Sequence, residues 1–507
     1  MLRLGTFLLL TTVTVAVQPW DKYILAPASR LVVPEKISAG GGIARAGKDI
    51  FPLSLETKNS FVVFDFGQEV GGFVSIELGA VEDGAELGLT FSESTNYATC
   101  PTTSINSHCT NAVGNKNPQM HSGDDSNGGG DPTPHPDGPL WTGPLRENTI
   151  FRVKDAHLRG GFRYLNIFVA SNETGSSRIE IKGVNLTFTA APAMSNLRNY
   201  KNHFYCSDDL LNRIWYASAY TAQMCIISPQ HGRDWPPPKM GWNNDVLIGV
   251  GDSIIVDGAK RDRTIWPGDM GISIATSFAT LGDVRSGINS LLTLYDLQSP
   301  AGQLPYVGPA VFCQMPEGQS CGGRGSWGSD TYHLWALVGT HLSVTYSKNT
   351  LFLNDIYEKY KKAVNHSLSK VSRSPNGLFV VDQKADWQRS GQGGKNIAAN
   401  ALLYKVTQGA IELTGMMKDT RATQYYRNAG EALKQAINAV LWDETVNAYR
   451  DNPSSSTFPQ DGNSLSVWFN VTDTADKRAS VLAYLKSNWG KLGSISPEWV
   501  YQGRHAI

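Results

Sequence analysis

Near residue 200 the spacing of apolar side chains changes, and with it the kind of structure the chain can form. Before that point apolar residues alternate, or run for strand lengths, over residues 61–66, 72–78, 86–91, 162–169 and 179–188. Many short strands separated by Gly-rich turns predict a β-sandwich across residues 18–200. After it the period becomes helical. Residues 210–220 form the first such stretch, with Ser207, Asp208 and Asp209 placed to cap it. Residues 272–297 read as two helices broken near Gly282 and Asp283. Further helices are expected over 330–344, 350–368, 396–415 and 419–441, and shorter ones over 464–469 and 475–488. Consecutive helices with short links pack as antiparallel neighbours, so residues 201–507 predict an all-α array of about nine helices. The fold class is therefore multidomain, β followed by α.

Residues 1–17 have the form of a secretory signal, with Arg3 before an apolar run and a cleavage point near Ala16–Gln18. An extracellular location follows from that reading. The four sequons at Asn172, Asn185, Asn365 and Asn470 fit it; Asn452 precedes Pro453 and fails. The 6 cysteines fall into near pairs, Cys100 with Cys109, Cys206 with Cys225 and Cys313 with Cys321, and disulfides between these pairs are the expectation. No later run reaches the roughly 18 apolar residues of a membrane span. The net charge of +0 gives no footprint for nucleic acid. Residues 100–145 are polar and rich in Gly and Pro, an insertion in the strand-rich half. Its His108, His121 and His135 are scattered, as solvated loop histidines are, and no metal or other cofactor is expected.

Chemistry concentrates in one loop. Asp257, Arg261, Asp262, Arg263, Trp266 and Asp269 fall within thirteen residues, broken by Gly258, Pro267 and Gly268. Glycosidic bond cleavage asks for this combination. One carboxyl protonates the leaving oxygen, a charged neighbour steadies the positive sugar ring, and a flat aromatic face holds it. A solvated loop of mixed charge is the bland alternative. Three more loops before helices pair Trp with Asp or His: His231 to Trp235, Trp327 with Asp330 ahead of His333 and Trp335, and Asp386 with Trp387. Each alone is explained by a helix cap over a packed ring. Four of them on one helical array point to loops converging on a sugar pocket. There is no Gly-x-Ser-x-Gly elbow and no His-Glu-x-x-His pair, so esterase and zinc-protease readings have no support.

The Asp257–Asp269 loop resembles the signature of glycoside hydrolase family 78, the α-L-rhamnosidases of the six-hairpin superfamily. Residues 65–73 and 91–94 resemble the β-sandwich that precedes the barrel there, and residues 327–344 and 385–387 resemble its barrel loops. The resemblance implies an (α/α)6 barrel, a secreted inverting glycosidase and a rhamnose-containing glycoside or polysaccharide as partner. It implies that Asp262 is the general acid, where bacterial members usually carry Glu. Asp257, Arg261 and Asp269 would hold sugar hydroxyls and Trp266 would stack on the sugar. Trp327, Asp330, Trp335, Asp386 and Trp387 complete the expected substrate-binding set. Arg261 and Arg263 beside Asp262 create a tension, because cations lower the pKa of an acid that must stay protonated.

An inverting enzyme also needs a carboxylate to activate water, roughly 6.5–9.5 Å from the acid. The resemblance places it as a Glu beside a Trp near the final helices. Glu498 precedes Trp499, but it matches the segment before that loop. With about nine helices where a closed six-hairpin barrel has twelve, the expectation is a barrel lacking its last helices. It would have exposed apolar helix faces and little or no hydrolysis of α-L-rhamnosides. Other readings are a different six-hairpin glycosidase, a polysaccharide lyase using His231 and Arg233, or a carbohydrate-binding protein without catalysis.

Overall fold

A computed structural model describes residues 18–45, 48–56, 60–95, 140–169, 178–233, 243–260, 262–309, 328–386, 389 and 393–490. The signal-like run, most of the polar insertion, and Cys100, Cys109, Cys313 and Cys321 lie outside the described residues.

The first half is a single antiparallel path of strands. In chain order these are β1 (Leu31–Val32), β2 (Lys36–Gly41), β3 (Ile43–Arg45), β4 (Leu53–Leu55), β5 (Phe61–Val81), β6 (Leu87–Ser92), β7 (Leu140–Trp141), β8 (Ile150–Arg152), β9 (Arg159–Val169) and β10 (Ile179–Phe188). The order is β3-β4-β10-β5-β9-β6-β7, with β1 on β10 and with β2 and β8 on β5. The two segments 61–66 and 72–78 are one strand. β5 passes through the glycines between them with a register shift, pairing β2 and β9 early and β10 and β8 late. Its first six residues are buried on both faces, which accounts for the unbroken apolar run there.

Nine α-helices follow among the described residues: α1 (Asp209–Met224), α2 (Met270–Leu281), α3 (Arg285–Asp296), α4 (Asp330–Ser347), α5 (Thr350–Ser372), α6 (Ile397–Met416), α7 (Thr420–Val440), α8 (Gln460–Trp468) and α9 (Ala475–Ser487). Asp208 caps α1, accepting from the amides of Leu210 and Leu211 at 2.9 and 3.2 Å. Gly282 at φ 70° closes α2 in the left-handed conformation. Helices α2, α4, α6 and α8 pack side by side. Of these, α4 and α6 are buried on most of their sides, with polar as well as apolar residues inside, whereas α7 buries one stripe. The first kind forms an inner layer and the second an outer one. The turns that leave the inner helices for α3, α5 and α7 are short, while the loops that lead into the inner helices are long. Large apolar side chains stay exposed on Leu210, Leu211 and Ile214 of α1 and on Trp468 and Leu482 of α8 and α9.

The expected Cys206–Cys225 disulfide is absent; both thiols are free. Cys206 precedes α1 and Cys225 caps its far end. A helix of 16 residues spans about 24 Å at 1.5 Å per residue, far beyond the reach of a disulfide. Neighbourhood in sequence is separation in space when a helix lies between. No helix among the described residues is long and apolar enough to cross a membrane.

Candidate active site

The long loops into the inner helices meet at one end of the array. Gly308 N donates to Ile265 O at 3.0 Å, joining the loop before α2 to that before α4. Thr331, in the first turn of α4, donates from Oγ1 to Asp386 Oδ2 at 3.0 Å. Ile397 N, opening α6, donates to Asp451 O at 2.9 Å. Arg389, 6% exposed, ion-pairs with Asp451 at 2.8 Å and with Asp461 at 2.7 Å. A continuous chain of contacts thus links the loops before α2, α4, α6 and α8.

The first of these loops carries the carboxylates. Asp257 builds it: Oδ2 accepts from Asp262 N at 2.7 Å and Oδ1 from Thr264 N at 3.1 Å. Gly and Pro deny this segment a regular ladder, so a side chain satisfies the amides that a strand partner would otherwise take. Asp257 keeps some accessible surface, yet protein surrounds it closely enough that burial, with repulsion from Asp262 and Asp269, pushes its carboxyl well up. Burial and repulsion from Asp262 likewise push Asp269 up to about 6. The three carboxyls feel one another's charge, so they titrate as a group rather than independently. Asp262 is half-buried, with Oδ1 out of contact with water.

Arg263 turns away from this group. At φ 56° it sends its guanidinium inward, with Nε and Nη2 donating to His231 O at 3.1 and 2.9 Å and Nη1 donating to Ala259 O. Three backbone contacts engage a cation that the sequence set beside the acid. Its side chain also packs on the sheet: a Cβ on Gly160 of β9 would fall 1.7 Å from Ala259 O and 2.2 Å from Arg263 Nη1. The loop therefore rests directly on the strand-rich half.

Trp266 is 7% exposed, so it is part of an aromatic wall rather than an open platform. It stands edge-on to Tyr306 at 4.9 Å and to Tyr332 at 5.9 Å, and these two rings stack at 5.5 Å. Gly268 allows the approach, because a Cβ there would meet the Tyr332 ring at 2.8 Å. Sequence reasoning missed both tyrosines. Tyr332 lies in the first turn of α4, two residues past Asp330, and only its proximity to that loop–helix junction marked it.

Two expected contacts are corrected. Asp330 is 1% exposed and fully engaged: Oδ1 accepts from Lys370 Nζ at 2.7 Å, and Oδ2 accepts from the amides of Asp382 and Gln383 at 3.1 Å each. It clamps the next loop to α4 and cannot also reach a sugar. Trp335 packs between helices, against Gly271 of α2 and edge-on to Phe469 at 6.3 Å, because it falls more than one helical turn below the loop end of α4. Asp386 stays at the loop junction. Burial pushes it up to about 6 against the Thr331 hydrogen bond and the charge of Arg389. Arg261, Trp327 and Trp387, with Glu498 and Trp499, lie outside the described residues. His231 and Arg233, the candidates for a lyase, pack into the junction. The His231 ring meets Phe73 edge-on at 5.4 Å, and Arg233 is 3% exposed.

Residues 248–493 match the family described as the bacterial alpha-L-rhamnosidase 6 hairpin glycosidase domain. No curated protein sequence matches the chain. Among solved structures, a rhamnosidase from Klebsiella oxytoca with rhamnose bound is similar at 17% identity and a TM-score of 0.65, over 95% of this chain and 84% of that one. A family 78 rhamnosidase of Bacillus sp. GL1 is similar at 18% identity and a TM-score of 0.59. This chain is covered over 88% there but spans only 38% of the Bacillus chain. An α-L-rhamnosidase from Aspergillus terreus follows at 15% identity and 0.53, over 90% of this chain and 44% of that one. At such identities these likenesses establish the fold.

Proposed function

We propose, from the match of residues 248–493 to the bacterial alpha-L-rhamnosidase six-hairpin glycosidase domain, that this chain binds terminal α-L-rhamnose in its loop cluster and cleaves it with inversion, Asp262 acting as general acid. The observation that carries this reading is the set of three mutually repelling carboxyls, Asp257, Asp262 and Asp269, beside the Trp266, Tyr306 and Tyr332 wall. A general acid must hold its proton until the leaving oxygen takes it. Crowded carboxyls in a poorly solvated loop keep a proton within the group, and the Arg263 guanidinium is taken up by the carbonyls of His231 and Ala259.

Within this reading Asp257 acts on the loop rather than on the sugar, since both its oxygens take backbone amides. Asp269 and Asp386, each raised to about 6, remain the carboxyls that can meet sugar hydroxyls. The aromatic wall would face the apolar methyl side of rhamnose. Export from the cell belongs to the same proposal, on the strength of residues 1–17.

Three measurements test it. Titration with L-rhamnose should perturb tryptophan fluorescence, and Trp266→Ala should abolish the change. With aryl α-L-rhamnosides, Asp262→Asn should lower kcat by about a hundredfold to ten-thousandfold where the leaving group needs protonation, and far less where it does not. The sugar released should first appear by NMR as the β-anomer. Release as the α-anomer would overturn inversion, and an unchanged Asp262→Asn rate would overturn the acid.

A further inference from the structure

The two sandwich stretches that carry the family resemblance, residues 65–73 and 91–94, have no part in the site described so far. Folding brings them together behind the acid loop. Glu69 lies in β5 where that strand shifts register, and Glu93 directly follows β6. Lys260, two residues before Asp262, reaches back to this pair. Its Nζ stands 3.0 Å from Glu93 Oε2, and its side chain is 12% exposed. The Glu69 carboxyl converges on the same point. A Cβ on Gly161 of β9 would lie 2.7 Å from Glu69 Oε1 and 3.4 Å from Lys260 Cβ. Tyr220 of α1 pins the strand here, donating from its hydroxyl to Glu69 O at 2.6 Å.

We propose that Glu69 and Glu93 are positioning residues for Asp262, acting through Lys260. This rests on the reading of Asp262 as the acid. An exposed ion pair contributes little by itself. This one joins two halves of the chain at the backbone that carries the acid, so its effect falls on geometry.

The second carboxyl has a defined part. Burial pushes Glu69 up to about 8, the charge of Glu93 and a hydrogen bond to it push the same way, and Lys260 and Arg159 of β9 oppose. At neutral pH Glu69 is therefore protonated and donates to Glu93, which leaves the Glu93 carboxylate aimed at Lys260. Tyr220, which also faces Glu69, has its hydroxyl pushed far up by burial and stays neutral. Above about pH 8 Glu69 ionises. Two carboxylates then share one ammonium, and their repulsion loosens the loop.

The test compares wild type, Glu93→Gln, Glu69→Gln and Glu93→Gln/Lys260→Met by amide hydrogen exchange over residues 257–264 and by turnover of two aryl α-L-rhamnosides with different leaving groups. Glu93→Gln should speed exchange of the loop several-fold with the core amides unchanged. It should lower kcat by about tenfold to a hundredfold for the poorer leaving group, with KM unchanged. The double variant should be no worse than the single one, as expected of residues acting through each other. In wild type, loop protection should fall as pH passes 8, and Glu69→Gln should abolish that fall. Unchanged exchange in Glu93→Gln, or an alkaline loss that persists in Glu69→Gln, would overturn the proposal. A failure of Asp262→Asn to discriminate leaving groups would instead sink the acid assignment. The exchange measurement needs no turnover, so it decides the loop contact in either case.

Discussion

Asp257 is the residue on which the loop geometry turns. It accepts two amides, Asp262 N and Thr264 N, with its two oxygens. Asn has the same shape but one acceptor, so Asp257→Asn sets an NH2 group against one of those amides. We expect a loss of about 1–3 kcal/mol in urea unfolding, the cost of a buried donor left without its acceptor. A fall in kcat larger than any rise in KM should accompany it, because the displaced atom is the Asp262 backbone. Unchanged kcat with lower stability would mean that Asp262 holds its place without this support. Gly160 is the matching residue on the sheet. An added Cβ would meet Ala259 O, a backbone atom that cannot swing aside. Gly160→Ala should therefore cost about 1–3 kcal/mol, as overpacking does, and should lower activity although it lies outside the helical half.

At the scale of elements, the contact between α4 and the loop before α6 depends on the Asp330–Lys370 pair. Both side chains are nearly buried, at 1% and 8% exposure. Burial raises Asp330 even against the charge and hydrogen bond of Lys370, so desolvation here exceeds attraction. Removing one partner should then hurt more than removing both. Lys370→Met is expected to cost about 3–5 kcal/mol in thermal or urea unfolding, and Asp330→Asn in that background should recover part of the loss. If the double variant is the less stable, the pair attracts more than its burial costs. This clamp also explains what sequence reasoning found and missed. The elements were readable because apolar period is a local property: β10 and the break at Gly282 lie where spacing put them. The role of Asp330 was not, because its partner is 40 residues away, and an Asp beside a loop Trp looks the same whether it faces sugar or lysine. Tyr306 and Glu69 were hidden likewise, since nothing within a few residues of either marks what folding sets against it. β5 read as two strands because its glycines resemble a turn locally, and only the partners β9 and β10 show the strand continuing.

Across the whole molecule the buried titratable groups set how stability varies with pH. Glu69, Asp269 and Asp386 are raised to about 8, 6 and 6, each chiefly by burial, and burial raises Asp257 and Asp330 too. A carboxyl raised on folding contributes fully below its unfolded pKa of about 4, and the contribution is lost as pH rises through the folded value. The histidines oppose this. Burial holds His333 down to about 3 and also lowers His231, His341 and His366. Their neutral forms add stability above an unfolded pKa of about 6.5 and lose it on acidification. Asp65 acts in the same direction: burial pushes it up, but Arg163 and the Gly67 amide outweigh that and hold it below the usual range. Between about pH 4 and 6.5 the two families act in opposite directions. Above 6.5 the histidine contribution is complete, while Glu69 still resists ionisation. Stability should therefore fall from pH 6.5 to 8.5, by on the order of 1–2 kcal/mol from Glu69 alone. Below pH 4 it should fall again as His333 and Asp65 take up protons. Thermal unfolding across pH 3 to 9 checks the shape, and Glu69→Gln should flatten the alkaline side only. A Tm that rises from pH 6.5 to 8.5 would show that Glu69 ionises without resistance in the folded chain.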